Sequence, residues 1–320
     1  MMVKKDDIFA IIIAILNDMK RKLASALLLS TALLSACCSR NKGAREADAA
    51  LALDTVPTLE TPFDGIWQMT CGDVKVAWMP DLTPEKNPLG LFGEIPSEIV
   101  ESLGIADGIP ASMSAVLAQV GDTVILFDAG LGKVSHAEGD PSSNLLGSLD
   151  SLGFVPDDIH LIYLTHLHPD HIGGLMKDGK KVFPNAQVWL SRIEYEAWMS
   201  MPTEKAAMQQ ECMNEYSDSL HLFEFGDTLP GGVKAIDAVG HTPGHTAFEI
   251  SNGVPSARGF LIAGDIMHGV ALQMAHPEFS PFYDMDPEAS VRTRRRIVEY
   301  AGENNLIMTG MHFPEPGFLW

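Results

Sequence analysis

The chain has few basic residues. Its 320 residues include 22 lysines and arginines against 42 aspartates and glutamates, which gives a formal net charge of −20. Binding to nucleic-acid phosphates requires clustered lysines and arginines, so this balance argues against a nucleic-acid partner. The short basic run at residues 292–296 is interpreted as the solvated face of a helix. Apolar residues make up 46% of the chain, enough for a sizeable core.

Cysteine is also scarce, with four residues in the chain and none in a CxxC or other cysteine metal spacing. Cys71 and Cys212 either pair in an oxidising compartment or remain buried thiols, and the sequence leaves both possibilities open. The chain contains no GxSxG motif, so nothing indicates the serine nucleophile of that motif.

Long apolar runs are missing near the start of the chain. The run from Ile8 to Leu16 has nine residues, whereas a membrane span needs about 20. After Met19 come three basic residues, an apolar stretch at 23–34, and the sequence Leu-Ser-Ala-Cys that ends at Cys37. This pattern resembles a bacterial lipoprotein signal and implies a lipid anchor on Cys37 in the cell envelope, periplasmic or on the outer membrane. An uncleaved anchor and plain secretion remain alternatives.

These features predict three parts of the chain. Residues 1–36 are a targeting segment, in which the signal is residues 19–36 and residues 1–18 are a spurious extension ahead of the true start at Met19. Residues 37–60 are the lipidated cysteine and a tether, and residues 61–320 are one folded domain. The mature part carries more negative charge than the whole chain, so the acidity belongs to the domain.

Short apolar runs in the folded part are each followed by a polar or glycine-rich turn. The runs lie at residues 124–127, 159–164, 235–239, 259–263 and 306–308. Helical patterns lie between them, at residues 142–152, from residue 172 into the next turn, at 192–217 and at 287–304. Strands that alternate with helices at this density predict a layered α/β domain. The chemically distinctive residues follow the strands.

The most distinctive turn is residues 166–171, with the sequence HxHxDH. Imidazole and carboxylate are ligands that divalent metals accept, so four such groups in six residues predict a metal site. His166 and His168 are two residues apart and point the same way in an extended loop, and Asp170 continues that face. His171 is one residue out of this register, which allows it to reach a second metal ion.

Further motifs lie downstream: GHTPGH at residues 240–245, GD at 264–265 and TGMH at 309–312. In order and separation, these motifs and HxHxDH resemble those of the metallo-β-lactamase-fold hydrolases over roughly residues 60–320. The resemblance implies an αββα sandwich with two divalent metal ions at one edge of its sheets. The first ion would be held by His166, His168 and His245, the second by Asp170, His171 and His312, and Asp265 would bridge the two. His241 and Asp128 are interpreted as positioning residues of the ligand loops.

Two ions that share a water molecule lower its pKa and provide a bridging hydroxide nucleophile, so hydrolysis is the expected reaction. The ligand types favour Zn²⁺, with manganese, cobalt and iron left open. Two branches of the family look nearest: the methyl parathion hydrolase-like enzymes and the N-acyl homoserine lactonases. Expected small-molecule substrates are therefore lactones or related esters, and organophosphate triesters are a further candidate.

The lactonase branch has a tyrosine three residues after the bridging aspartate, where this chain has His268. That departure resembles the parathion hydrolase branch. His268 and Asp170 are the candidate catalytic residues, with His268 either donating a hydrogen bond to the leaving group or lining the pocket. Trp198, Trp189 and Phe92 are candidate pocket walls.

Two other functions within the same fold remain open. A β-lactam hydrolase is one, although the commonest subclass uses a cysteine as a second-metal ligand and no cysteine follows the cluster at a suitable place. An iron-dependent redox protein is the other.

Overall fold

The computed structural model describes residues 56–132, 144–252 and 257–320. An eight-stranded sheet is built from β1 (Thr58–Phe63), β2 (Ile66–Cys71), β3 (Val74–Leu82), β6 (Met113–Val120), β7 (Thr123–Phe127), β8 (Leu161–Tyr163), β11 (Gln187–Ser191) and β12 (Leu220–Phe223), in this spatial order. The neighbours from β1 to β7 are antiparallel, and those from β7 to β12 are parallel. We call this the first sheet.

The second sheet has six strands. They are β13 (Thr228–Leu229), β14 (Val233–Asp237), β15 (Thr246–Ile250), β16 (Phe260–Ile262), β17 (Ile307–Thr309) and β18 (Phe318–Leu319), in this order. All neighbours are antiparallel except β16 and β17. Two small antiparallel pairs complete the strands: β4 (Glu85–Lys86) with β5 (Ile109–Pro110), and β9 (Met176–Lys177) with β10 (Lys180–Lys181).

The helices are α1 (Pro88–Phe92), α2 (Ser97–Leu103), α3 (Leu145–Ser151), α4 (Pro169–Ile172), α5 (Arg192–Met199), α6 (Thr203–Glu215), α7 (Val270–Gln273) and α8 (Pro287–Glu303). Local sequence explains where α5 and α8 begin. Ser191 caps α5 by accepting a hydrogen bond from the Glu194 amide, and Asp286 caps α8 ahead of Pro287. The helical patterns at 192–217 and 287–304 correspond to α5 with α6, and to α8.

Three apolar layers hold the two sheets and their covering helices together, and a smaller cluster with Leu91, Ile109 and Leu272 packs α1, α2 and α7. Between the sheets, side chains such as Val76 and Trp78 of β3 pack against Phe248 of β15. On the other face of the first sheet, Ala77 and Met79 of the same strand belong to the layer that packs against α3, α5 and α6. On the outer face of the second sheet, Ile297 and Ala301 of α8 pack against its strands. Helices therefore cover both outer faces, and the predicted αββα sandwich is confirmed.

The first strand corrects one predicted boundary. β1 begins at Thr58, so the last residues of the predicted tether at 37–60 belong to the sheet. The predicted signal, the tether up to residue 55 and the lipidated Cys37 lie outside the described residues. Within the described residues, no helix is long and apolar enough to cross a membrane.

The two buried cysteines of the domain do not form a disulfide with each other. Cys71 packs between the sheets, whereas Cys212 packs in the helical layer on the other side of the first sheet.

The basic run in α8 differs from its interpretation as a solvated face. Arg292, Arg295 and Arg296 are exposed, but Arg294 is fully buried. The reason is helical periodicity, because Arg294 falls on the stripe that also contains Ser290, Ile297 and Ala301.

Candidate metal centre

The residues that predicted a metal site lie at the ends of strands from both sheets. Residues 166–171 follow β8, and α4 begins within this segment at Pro169. Residues 240–245 join β14 to β15, Asp265 follows β16, and His312 follows β17. Nine side chains form overlapping groups of three whose potential ligand atoms lie within 4.8 Å of one another. They are those of His166, His168, Asp170, His171, His241, Asp265, His268, Asp284 and His312. The cluster therefore requires the assembled sandwich.

Asp265 is at the centre of this cluster and is buried. Its Oδ2 lies 3.0 Å from Nε2 of His312, 3.2 Å from those of His171 and His268, 3.3 Å from that of His241 and 3.8 Å from that of His166. Its Oδ1 has no hydrogen-bond partner among the described residues. Burial opposes ionisation, but charge on the imidazoles, His171 first, holds the pKa of Asp265 well below its usual range. An ionised carboxylate surrounded by imidazoles fits divalent metal ions.

Two groups of side chains flank Asp265. In the first, Nδ1 of His168 lies 3.0 Å from Nε2 of His166 and 2.9 Å from Nε2 of His241. In the second, Oδ2 of Asp170 lies 3.5 Å from Nε2 of His312 and 3.8 Å from Nε2 of His171. Burial, followed by repulsion from His241, lowers the pKa of His168 to about 3, so this imidazole is neutral and has a free lone pair.

The prediction that His245 is a metal ligand is wrong on this geometry. Its Nδ1 donates a hydrogen bond to the Ala238 carbonyl at 2.8 Å, and its Nε2 accepts one from the Asp265 amide at 2.9 Å. Both ring nitrogens are therefore engaged by the backbone. The other histidine of GHTPGH, His241, points Nε2 at the cluster instead, so the roles predicted for these two residues are exchanged.

Asp128 positions the histidine segment through hydrogen bonds, as the sequence predicts. Its carboxylate accepts from the amide and the hydroxyl of Thr165 at 2.8 and 2.7 Å. Its Oδ2 also lies 2.7 Å from Nδ1 of His171, which directs Nε2 of that ring towards Asp265. Burial raises the pKa of Asp128, while the contacts with His171 and Thr165 act in the opposite direction.

Glu194 connects the two ligand loops, and sequence reasoning did not assign it this role. Its Oε1 accepts hydrogen bonds from the Leu167 amide at 3.0 Å and the Trp198 indole at 2.6 Å. Its Oε2 accepts from the Thr242 hydroxyl and the Gly244 amide, both at 2.8 Å. Burial raises the pKa of Glu194, and these four donors counteract it. The sequence around Glu194 indicated only a carboxylate in the first turn of α5, which Ser191 caps.

Asp284 and Lys86 also reach the cluster without a sequence signal. Oδ1 of Asp284 lies 2.9 Å from Nδ1 of His241. Nζ of Lys86, from β4, lies 3.4 Å from Nδ1 of His312. Burial lowers the pKa of Lys86, although the charges of Asp265 and Asp170 oppose that shift. Each residue is far along the chain from the ligand it contacts, so only the tertiary structure reveals it.

His268 lies inside the cluster, and its Nδ1 is buried with no hydrogen-bond partner among the described residues. Its ring centroid is 4.5 Å from that of His312 and 5.9 Å from that of the exposed Tyr283. Of the predicted pocket walls, Trp198 lies 5.7 Å from His168, ring to ring. Phe92 packs near Gly269, whereas Trp189 stacks on His221.

Comparison with known proteins points to one family. Residues 109–307 match the model of the metallo-beta-lactamase superfamily. The N-acyl homoserine lactonase AiiA of Bacillus thuringiensis subsp. kurstaki is 25% identical over 158 residues, which cover 48% of this chain and 56% of that protein. The chain thus spans little more than half the length of this lactonase.

Two solved structures have the same fold. The hydrolase AbOPH, described as a member of the beta lactamase superfamily, is 30% identical with a TM-score of 0.69, over 80% of this chain and 92% of that one. AidC, a dizinc quorum-quenching lactonase in complex with a product, has a TM-score of 0.71 at 23% identity, over 82% of this chain and 93% of that one. At that identity, the AidC match supports the fold alone.

Proposed function

Because the chain belongs to the metallo-β-lactamase superfamily, we propose that it is a metal-dependent hydrolase with two divalent ions that acts on lactones or related esters. The convergence of five imidazoles on the buried Asp265 carboxylate carries the proposal. Such a set of groups is costly to bury together unless cations compensate it.

In this proposal, the first ion is held by His166, His168 and His241, and the second by Asp170, His171 and His312. Asp265 contributes to both. The Oδ2 of Asp265 lies 3.0–3.3 Å from the closest imidazole nitrogens, so these side chains would be able to share divalent ions. Imidazole and carboxylate ligands favour Zn²⁺.

When bound, the ions activate water at neutral pH and polarise the carbonyl oxygen under attack. The remaining steps fall to the protein's own residues. Water adds to the acyl carbon, the ring C–O bond breaks, and the released alkoxide takes up a proton. His268, whose buried Nδ1 has no hydrogen-bond partner among the described residues, is the candidate donor to that oxygen. Asp170 is the most exposed of the three cluster carboxylates, with 23% of its side chain accessible, and stays a catalytic candidate.

The lactonase relatives support lactones as the first substrate class. His268, in place of the lactonase tyrosine, favours organophosphate triesters as a second class. For the β-lactam alternative, no described cysteine lies in the cluster. Metal analysis with an absorption spectrum separates a zinc hydrolase from an iron redox protein, because zinc is colourless.

The test is turnover of a lactone panel and an aryl phosphotriester by the purified chain with added Zn²⁺ or Mn²⁺, compared with Asp265→Ala. We expect a loss of about a thousandfold, corresponding to the several kcal/mol that such metal stabilisation supplies. Asp122→Ala, in an exposed turn, is the matched control. Undiminished turnover in Asp265→Ala would rule out the mechanism.

We further propose that the protein is lipid-anchored through Cys37 in a bacterial cell envelope. The support is the sequence pattern at residues 19–37. Mass spectrometry of the N-terminal peptide from cells that express the chain tests it. The expected product begins with an acylated Cys37, and Cys37→Ser abolishes the modification. A mature protein that begins elsewhere contradicts the proposal.

A further inference from the structure

Arg294 differs from its neighbours in the basic run of α8 because its guanidinium is wholly buried. Its Nε donates a hydrogen bond at 2.6 Å to the carbonyl of Ile266, the residue that follows Asp265. One terminal nitrogen donates to the Pro277 and Phe279 carbonyls, at 2.6 and 3.2 Å. The other lies 3.2 Å from the Ser290 hydroxyl and 3.4 Å from Oδ2 of Asp284. A buried charge with this many partners has a defined orientation.

The carboxylate of Asp284 lies between Arg294 and His241. Its side chain is inaccessible to solvent, and Oδ1 contacts Nδ1 of His241 at 2.9 Å while Oδ2 faces the guanidinium. Since the carboxylate can only accept, it holds a proton of the imidazole on Nδ1, and a metal ion would take the place of any proton on Nε2. Nε2 of His241 is then a lone-pair donor that faces His168 and Asp265.

We propose that Asp284 and Arg294 are positioning residues that set the affinity of the first metal ion, by holding His241 as an Nε2 donor. This inference rests on the metal centre proposed above. A carboxylate behind a ligating imidazole fixes its orientation and raises its basicity, and loss of such a partner costs roughly 10–100-fold in metal affinity. Arg294 acts through Asp284, because without the guanidinium this carboxylate is a buried charge with one imidazole partner.

A purely structural role makes a different prediction. The backbone already ties these segments together, since the amides of Met285 and Asp286 donate to the carbonyls of His241 and Gly240 at 3.0 and 2.9 Å. If Asp284 only stabilised this loop, its loss would loosen the whole edge of the sandwich and lower the affinity for both ions. If Asp284 positions His241, its loss lowers the affinity for the first ion and leaves that for the second unchanged.

The experiment measures Zn²⁺ stoichiometry and both affinities on the full chain by competition with a chromophoric chelator. The variants are Asp284→Ala, Asp284→Asn and Arg294→Met. We expect Asp284→Ala to lower the affinity for one ion by about 100-fold, and the other two variants to lower the affinity for the same ion by about tenfold. Asparagine at position 284 retains the side-chain shape and one acceptor oxygen but loses the negative charge. Arg295→Met, on the exposed face of α8, is the control and should bind both ions as the wild type does.

Circular dichroism of the metal-free variants checks that they fold, and Asp284→Asn, which keeps the side-chain shape, decides the matter if Asp284→Ala does not fold. Two ions bound with wild-type affinity in the Asp284 variants would overturn the positioning role, as would equal weakening of both ions. A wild-type chain that binds no zinc would instead overturn the proposed metal centre itself.

Discussion

Two histidines of the cluster are each held from behind by a buried carboxylate, but the carboxylates are supported differently. On the first sheet, Asp128 contacts His171 and is held by the neutral amide and hydroxyl of Thr165. On the second sheet, Asp284 contacts His241 and faces the Arg294 guanidinium. The same task is thus performed by hydrogen bonds from neutral donors in one half and by a buried ion pair in the other.

The difference follows from how each half presents its ligands. On the first sheet, four ligand residues lie in one six-residue segment, and Thr165 immediately precedes it. On the second sheet, His241, Asp265 and His312 come from three separate loops. Separate loops need a connector that reaches several of them, and an arginine, with five donors, contacts more backbone segments than a hydroxyl can. Arg294 accordingly contacts the carbonyls of Ile266 and Pro277 as well as the carboxylate of Asp284.

The difference between the two halves is tested most directly by replacing each histidine of GHTPGH separately. We expect His241→Ala to weaken one ion by more than the roughly 100-fold that loss of a positioning partner costs, because a ligand itself is lost. His245→Ala should still bind two ions but should unfold more easily, by about 3 kcal/mol, because two buried backbone groups lose their partners. Metal analysis and denaturant unfolding measure the two effects. The reverse result would restore His245 as the ligand.

Glu194 is common to both halves, since it accepts from Leu167 in one ligand loop and from Thr242 and Gly244 in the other. We expect Glu194→Gln to reduce the free energy of unfolding by about 2–3 kcal/mol, because an amide presents a donor where donors already point. Urea unfolding measures the change. The exposed Glu196→Gln on the same helix should shift it by less than about 0.5 kcal/mol. Equal stability of the two variants would show that Glu194 does not couple the loops.

The smallest effect is expected at Asp128, the carboxylate that is supported by neutral donors. Asp128→Asn should weaken the second ion about tenfold and leave the first unchanged, the opposite selectivity to Asp284→Asn. Chelator competition again provides the measurement, with Asp122→Asn in the exposed turn before β7 as the control. If Asp128→Asn weakened the first ion instead, the division of the cluster into two halves would be incorrect.

The extent to which sequence predicted this site matches the same division. HxHxDH is local, so the sequence indicates its four ligands together, and extended geometry pairs His166 with His168. The prediction that Asp170 continues their face is wrong, because the segment is helical from Pro169 and Asp170 groups with His171. GHTPGH offers two histidines four residues apart, and nothing in the motif says which one faces the metals. The choice depends on the Asp265 amide, which engages His245 across 20 residues of sequence. Glu194 and Asp284 were missed for the same reason, because their partners are distant in the chain.

The layered α/β class was accessible from the sequence, because apolar patterns report directly on strands and helices, whereas the αββα arrangement was implied by the family resemblance. Arg294 was predicted incorrectly. The basic composition of residues 292–296 indicated an exposed side chain, whereas the position of Arg294 on the helical stripe with Ile297 and Ala301 indicated a buried one. In this case periodicity was the better guide, since a buried arginine is stable once its donors are satisfied.

The turn before α8 has a consequence for how such a protein can diversify. Phe282 and Tyr283 are 71% and 59% exposed, and the next residue is the buried Asp284. Selection can therefore vary these two aromatic positions, of which Tyr283 lies beside His268, while the adjacent Asp284 is retained. The histidine segment of the first sheet has no comparable freedom, because Leu167, between two of its ligands, is itself buried. Lineages that acquire new substrates are expected to accumulate their changes on the second-sheet side.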